Sequence, residues 1–216
     1  MIYKVLNTDG TACHGGSGEW SLPHDGEPGA WMPPIEGTLV ACVHGYHLCR
    51  DKQVLGWLGP ALYEAEYEGE CLEGGDKVVV RKARLLRKLK WDERSARLFA
   101  CDCAERVLHI YEEQYPNDKR PRTAIETSRH FANGEATKDE LDAAWAAAWD
   151  AAGAAARAAA WAAARAAAGD AARDAARDAA WAAAGDAAGD AARAAARAAE
   201  QDWQYDRFLE ATEVTT

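Results

Sequence analysis

The sequence predicts an α+β protein, with a small, mostly β N-terminal domain at residues 1–90 and an all-α C-terminal domain at residues 91–216. Most of the glycine, proline, histidine and cysteine residues, which punctuate turns, lie upstream of residue 90. Beyond it the chain is dominated by alanine, arginine, aspartate and glutamate. The hydrophobic period also changes there from about two residues to nearly four, which marks a change from strands to helices.

The N-terminal half contains short apolar runs of the kind that form strands, separated by turn residues. Strands are predicted at Ile2 to Leu6, Thr38 to Val43, Ala61 to Leu72 and Lys77 to Leu86, and a short helix at Gln53 to Leu58. The Gly74-Gly75 turn joins the last two strands as a hairpin. The segment Trp31 to Pro34 is expected to be extended, because a residue before proline avoids the helical region.

Three helix starts are predicted in the C-terminal half. Asp92 is a good N-cap for a helix that ends before Pro116. A second helix is expected from about Arg122 to Ala132, since a proline precedes it and a glycine follows. Thr137 and Glu140 have the spacing of a capping box, which predicts the start of a third helix.

An alanine-rich tetrapeptide repeat occupies residues 143–200. From Trp145 to Glu200 it divides into fourteen tetrads whose third and fourth residues are alanine, Glu200 excepted. Because alanine is the best helix former, the repeat predicts one long helix or several. A long helix of this kind cannot bury itself, so packing against protein or a homo-oligomer is expected.

Large side chains in this repeat are candidates for partner binding or packing, because tryptophan and arginine concentrate binding energy at interfaces. They are Trp145, Trp149, Trp161, Trp181, Arg157 and Arg165. The alternative is a low-complexity spacer held in solution by neighbouring aspartate and arginine pairs.

The formal net charge of -10 argues against nucleic acid as a partner, since phosphate binding needs a basic surface. The alanine tract is no membrane span, because aspartate or arginine interrupts it repeatedly. The N-terminus lacks the basic start and apolar stretch of a secretory signal. A cytoplasmic location without membrane contact is therefore expected.

One segment is rich in possible metal ligands. Cys42, His47 and Cys49 lie within eight residues, and Cys13 lies upstream. Three thiols and an imidazole could close a tetrahedral structural zinc site. The alternative is buried thiols and a hydrogen-bonded histidine beside a tight turn at Gly45.

A row of carboxylates at alternate positions, including Glu64 and Glu66, falls on one face of a predicted strand. Paired carboxylates can act as acid and base, but the polar outer face of a strand is the favoured interpretation. The sequence has no P-loop, nucleophile elbow or dinucleotide fingerprint. An enzyme is therefore not expected, and no catalytic residue is assigned.

Three motifs of the helical half stand out: the run from Leu98 to Leu108 (LFACDCAERVL), Arg120-Pro121-Arg122 and Gly134-Glu135. Together with the alanine tract they resemble the alanine-rich immunity proteins of bacterial polymorphic toxin systems, over about residues 92–209. That resemblance implies binding and neutralisation of a partner protein, and no catalytic residue can be carried over from it.

The N-terminal half resembles a small uncharacterised domain of phage and prophage proteins, through Tyr3-Lys4, Cys13, the run Gly45 to Cys49 and the strand pair near Glu66 to Leu85. The leading hypothesis is thus a protein-binding inhibitor, either an immunity protein against a toxin or a phage-encoded counter to a host defence protein. One alternative is a structural module that assembles through its alanine helix. Another is an enzyme, since the Tyr3-Lys4 strand and the Glu64-Ala65-Glu66 step also resemble ADP-ribosyl transferases.

Overall fold

The structure is a computed structural model that describes residues 1–16, 18–153 and 196–213. The chain divides into two units, one of Met1–Ala96 with Gln201–Thr216 and one of Arg97–Glu200. The sequence-based division placed every residue after 90 in one helical domain. In the structure the C-terminal segment is grouped with the N-terminal sheet instead.

Four antiparallel strands form the N-terminal sheet: β1 (Ile2–Leu6), β2 (Tyr46–Arg50), β3 (Ala61–Glu73) and β4 (Val78–Lys88). Their order is β1-β2-β4-β3, and β3 pairs back to β1, so the sheet closes on itself. The predicted first strand and the predicted hairpin are confirmed. The predicted short helix is a 3-10 helix at Asp51–Gly56.

Inward-facing side chains of all four strands fill the interior of this sheet, and Trp20 from the loop after β1 joins them. Each of the strand residues in this core is almost fully shielded from solvent. Its largest strand members are Leu6, Leu48, Tyr63, Val78, Val80 and Leu85.

The predicted extended segment runs along β4, where β2 no longer covers that strand. Backbone N–H groups of Gly29, Met32 and Ile35 donate hydrogen bonds of 2.9 Å to carbonyl groups of Leu85, Ala83 and Arg81. Every third residue donates, which suits a segment whose Pro33 and Pro34 have no N–H. The segment thus supplies hydrogen-bond partners to the part of the β4 edge that would otherwise be unpaired.

The strand predicted at Thr38 to Val43 is wrong, because a tight turn lies there and β2 begins only at Tyr46. Val40 and His44 form an isolated bridge, and Val43 is 79% exposed. Cys42 has a φ of 64°, which a strand cannot accommodate. Gly45 is required at its position, since its φ is 137° and a Cβ would lie 2.3 Å from Val79 Cγ1.

The helices are α1 (Glu93–Gln114), α2 (Arg120–Ala132) and helical segments at residues 138–153 and 196–211. Asp92 is the N-cap of α1, since its carboxylate accepts a 2.8 Å hydrogen bond from the Ser95 N–H. The capping box is also confirmed: the Thr137 N–H donates to Glu140 at 2.7 Å, and the Glu140 N–H donates to the Thr137 hydroxyl at 3.3 Å. Within the described part of the chain, no helix has the length and hydropathy of a membrane span.

Helices α1 and α2 are joined by ion pairs, and some of the charged side chains belong to the motifs singled out in the sequence. Arg129 of α2 pairs with Asp102 at 2.7 Å and with Glu105 at 2.5 Å. Arg122 makes a two-pronged contact with Glu112, with both hydrogen bonds at 2.7 Å. The LFACDCAERVL run therefore supplies two of these acidic partners, Asp102 and Glu105, while Glu112 follows the run.

The C-terminal helical segment packs on the N-terminal sheet through Phe208, which is fully buried. Its ring lies edge-on to Tyr3 of β1, with centroids 5.6 Å apart, and 5.7 Å from the ring of Trp91. The hydroxyl groups of Tyr3 and Tyr205 are 3.0 Å apart. Aromatic packing thus joins Tyr3 to Phe208, which lie about 200 residues apart in the sequence.

We expect Phe208→Ala to lower the free energy of unfolding by about 3–5 kcal/mol, because it opens a cavity against Tyr3 and Trp91. Glu210→Ala is the matched control on the same segment, since it removes only an exposed pair with Arg207 and should cost less than about 1 kcal/mol. Urea unfolding followed by tryptophan fluorescence measures both. Equal stability of the two variants would contradict the packing described here.

Candidate functional site

A cavity of about 210 Å³ opens between β1, β2 and the loop that follows β1. We call it the N-terminal pocket. Apolar side chains, such as Val5 and Leu48, form part of its wall. The polar side chains that line it are two lysines, two histidines and three cysteines: Lys4, Lys77, His14, His47, Cys13, Cys42 and Cys49. None of the described lining residues is acidic, so the pocket carries positive charge.

All four predicted zinc ligands line this one pocket. His47 and Cys49 come from β2, Cys42 from the turn before it and Cys13 from the loop after β1. They are not gathered into a metal-binding cluster, because in residues 1–16, 18–153 and 196–213 no group of three or more histidine, cysteine, aspartate or glutamate side chains could hold an ion. Zinc binding by these residues stays a prediction.

The ring of His47 holds the turn before β2. Its Nε2 accepts a 2.8 Å hydrogen bond from the Cys42 N–H, so this nitrogen carries no proton. Burial lowers the pKa of His47, and the nearby charges of Lys4 and Lys77 lower it further. His47 is therefore neutral at physiological pH, and it steadies Cys42 in its left-handed conformation.

Two thiols of the pocket, Cys13 and Cys49, are protonated at neutral pH. Burial raises the pKa of Cys49 to about 11, although the charge of Lys4 opposes this effect. Burial also raises the pKa of Cys13. Because metals bind the thiolate form, a zinc ion would have to displace these protons and rearrange His47.

Lys4 brings its ammonium group into the pocket from the middle of β1. Its Nζ donates a 3.0 Å hydrogen bond to the His47 carbonyl and lies 4.8 Å from the centroid of the Trp20 ring. Burial lowers the pKa of Lys4 to about 8, which nearby Cys49 and Cys13 partly offset. The amine thus lies in a poorly hydrated environment beside the thiols.

Lys77 and Trp57 also line the pocket. The Lys77 Nζ lies 4.2 Å above the centroid of the Trp57 ring, a cation–π contact. Burial opposes the charge of Lys77, but hydrogen bonds with Cys42 and Asp76 outweigh it and raise its pKa. The indole N–H of Trp57 donates to the Asp76 carbonyl at 2.9 Å, and His14 donates from Nε2 to the Trp57 carbonyl at 2.8 Å. The aromatic wall is thereby fixed in position.

Sequence reasoning identified the thiols and His47 but missed Lys4, Lys77 and Trp57 as members of a site. Lys4 offered one signal, since it is the only charged residue in an otherwise uncharged five-residue strand. Lys77 and Trp57 offered none, because long-range strand pairing brings them to the pocket.

The carboxylates of β3 are paired across the hairpin with basic residues of β4. Glu64 pairs with Arg87 at 2.6 Å and Glu66 with Arg84 at 2.5 Å. Glu68 pairs with Lys82 at 2.8 Å, and Glu70 pairs with Arg81. Cross-strand pairs of opposite charge stabilise a sheet. This geometry is that of the polar outer face that the sequence analysis weighed against acid–base chemistry.

Two of the tryptophans proposed as partner contacts lie in the described helical segment at residues 138–153. Trp145 is 64% exposed and Trp149 is 77% exposed. Exposed indoles are unusual on a protein surface and mark contact sites when they recur. Trp161, Trp181, Arg157 and Arg165 lie outside the described residues, as does most of the repeat.

Comparison with protein families gives a match over residues 90–210 to the family described as Imm-5 like putative immunity protein. The match covers α1, α2, the helical segment at residues 138–153 and nearly all of the segment at residues 196–211. Since it spans more than half of the 216 residues, the chain belongs to this immunity-protein family. Searches of the curated proteins and of the solved structures found no match.

The zinc prediction has a direct test. If Cys13, Cys42, His47 and Cys49 converge on an ion after rearrangement, protein purified without chelator should contain about one zinc per chain, and Cys49→Ser should remove it. Cys71→Ser, outside the pocket, is the control and should leave the zinc content unchanged. Elemental analysis that gives less than about 0.2 zinc per chain would rule the site out.

Proposed function

We propose that this protein is a protein-binding inhibitor, either an immunity protein against a toxin or a phage-encoded counter-defence protein, that neutralises a partner protein by binding it. Family membership over residues 90–210 is the observation that carries this proposal. An immunity protein acts by occupying its target, so the binding surface takes the place of a catalytic centre. A cytoplasmic location belongs to the same proposal.

The exposed indoles of Trp145 and Trp149 support a protein partner. They lie four residues apart on a helical segment, and side chains at that spacing share one face. Tryptophan on such a face contributes more binding energy than other residues when a partner covers it. We propose that Trp161, Trp181, Arg157 and Arg165 extend this contact surface along the repeat.

The charge around these tryptophans indicates the chemistry of the partner. In the described segment at residues 138–153, the only basic residue is Lys138, against Asp139, Glu140, Asp142 and Asp150. Complementary charge at the rim of an interface speeds association and suppresses wrong partners. We therefore infer a partner with an apolar cleft surrounded by basic residues, and no nucleic acid.

Self-assembly is the second candidate for the same surface. Trp145 and Trp149 are exposed in the single chain, so a second copy could bury them as well as a foreign partner could. A homo-oligomer would then form through the helical segment, whereas an inhibitor would bind as a complex of different chains.

A double variant, Trp145→Ala with Trp149→Ala, tests the partner surface. Affinity capture from the native host with mass spectrometry identifies the partner, and calorimetry with purified protein gives its Kd. We expect the variant to bind at least about thirtyfold more weakly, since one binding hot spot is worth about 2 kcal/mol.

The matched control is Arg207→Ala with Glu210→Ala, which removes an exposed ion pair outside the proposed contact surface and should change Kd by less than about threefold. Light scattering of all three proteins separates the candidates, because loss of self-association in the tryptophan variant alone would favour assembly. A partner that binds both variants equally, or keeps full activity when bound, would refute the inhibitor proposal.

For enzymatic activity we expect no turnover, because Glu64 and Glu66 are neutralised by Arg87 and Arg84. Incubation with labelled NAD, followed by chromatography of the products, measures this. Conversion that the wild type carries out and Glu64→Gln loses, while Glu68→Gln retains it, would instead establish the transferase alternative.

A further inference from the structure

We propose that the N-terminal pocket binds a small phosphate-bearing ligand, either inorganic phosphate or a phosphomonoester, between the ammonium groups of Lys4 and Lys77. This site is separate from the helical surface proposed to bind a partner protein. It lies wholly within the unit that contains the N-terminal sheet.

Lys4 carries a charge inside the pocket that an anion could balance. Among the described residues it makes no ion pair, and its polar contacts are the His47 carbonyl at 3.0 Å and the face of Trp20 at 4.8 Å. A charge in a poorly hydrated position is costly unless an opposite charge accompanies it. An anion bound beside Lys4 would supply that opposite charge.

The number of positive charges in the pocket favours phosphate. Lys77 lines the same pocket, and its closest carboxylate contact is a long one of 3.4 Å, to Asp76. Two ammonium groups match a phosphate monoester, which carries about -1.5 to -2 charges at pH 7. A carboxylate carries a single charge, so it would interact less strongly with these two ammonium groups.

The size and lining of the pocket favour a small ligand. Its volume of about 210 Å³ is below the roughly 300 Å³ of sites for drug-sized molecules, so the ligand is small. Gly15 and Gly16 form part of the wall, and without side chains they let a ligand come close to backbone N–H groups. The described lining residues include no arginine, the side chain that best matches a flat carboxylate.

A cation fits this pocket less well than an anion does. A zinc ion would bring further positive charge beside Lys4 and Lys77, and the Nε2 of His47 already accepts a hydrogen bond from Cys42. None of the described lining residues is acidic, so no carboxylate repels an anion there. The described geometry thus favours an anion in the pocket.

Calorimetry of the full-length protein at constant ionic strength tests the proposal with two probes, sodium phosphate and glycerol 3-phosphate. We expect saturable binding of one ligand per chain, and sodium acetate should bind at least about tenfold more weakly. Tighter binding of glycerol 3-phosphate would identify a phosphomonoester as the ligand, whereas equal or weaker binding would identify free phosphate.

Lys4→Met and Lys77→Met should each weaken phosphate binding by about tenfold or more, because each removes a charge but keeps an apolar stem. Lys82→Met is the matched control, since Lys82 also lies over an indole ring, that of Trp31, at 4.4 Å, but outside the pocket. It should bind as the wild type does. If circular dichroism shows that Lys4→Met does not fold, Lys77→Met decides the test alone.

Protection of the thiols locates the ligand. Bound phosphate should slow the alkylation of Cys13 and Cys42 by iodoacetamide, read by mass spectrometry, and leave Cys71 unchanged, because Cys71 lies outside the pocket. The proposal is overturned if neither probe binds below about 10 mM, if Lys82→Met is as impaired as Lys77→Met, or if the pocket thiols are not protected. One zinc per purified chain at these residues would overturn it as well.

Discussion

The pairing of the first three residues of β4 with two strands at once is the interaction on which the N-terminal sheet depends. Val78, Val79 and Val80 pair with β2 on one side and with the end of β3 on the other. All three are buried. Because this pairing holds β2 and β3 in place, β1 can close the sheet between them. Closure brings Lys4 of β1 beside His47 of β2 and so creates the pocket.

Charge is distributed very unevenly over this protein. The outer face of the hairpin is neutralised by pairs such as Glu66 with Arg84, so it offers little net charge to a ligand. The N-terminal pocket is lined by lysines without an acidic lining residue among those described. The charged residues of the helical segment at residues 138–153 are mostly acidic. A chain with a net charge of -10 thus has a cationic pocket among its described residues, and the two proposed sites call for ligands of opposite charge.

The immunity-family region is not confined to the helical unit. Its match ends at residue 210, and residues 201–210 belong to the unit of the N-terminal sheet. Phe208 in this stretch is buried against Tyr3 and Trp91. The sheet therefore stabilises the last part of the family region, which gives the N-terminal half a structural role beside any ligand that it binds.

The sequence by itself determined the features that depend on neighbouring residues. The strand Ile2–Leu6, the hairpin, the N-cap at Asp92 and the Thr137–Glu140 capping box are all set by contacts over a few residues, and the structure has each of them. Only the tertiary structure decided the position of β2, because the apolar run at Thr38 to Val43 is a turn held by His47. It also decided that Lys4 meets Lys77 in one pocket and that Phe208 packs on Tyr3. Those contacts join residues far apart in the chain, and no local pattern records which distant partner a side chain will meet.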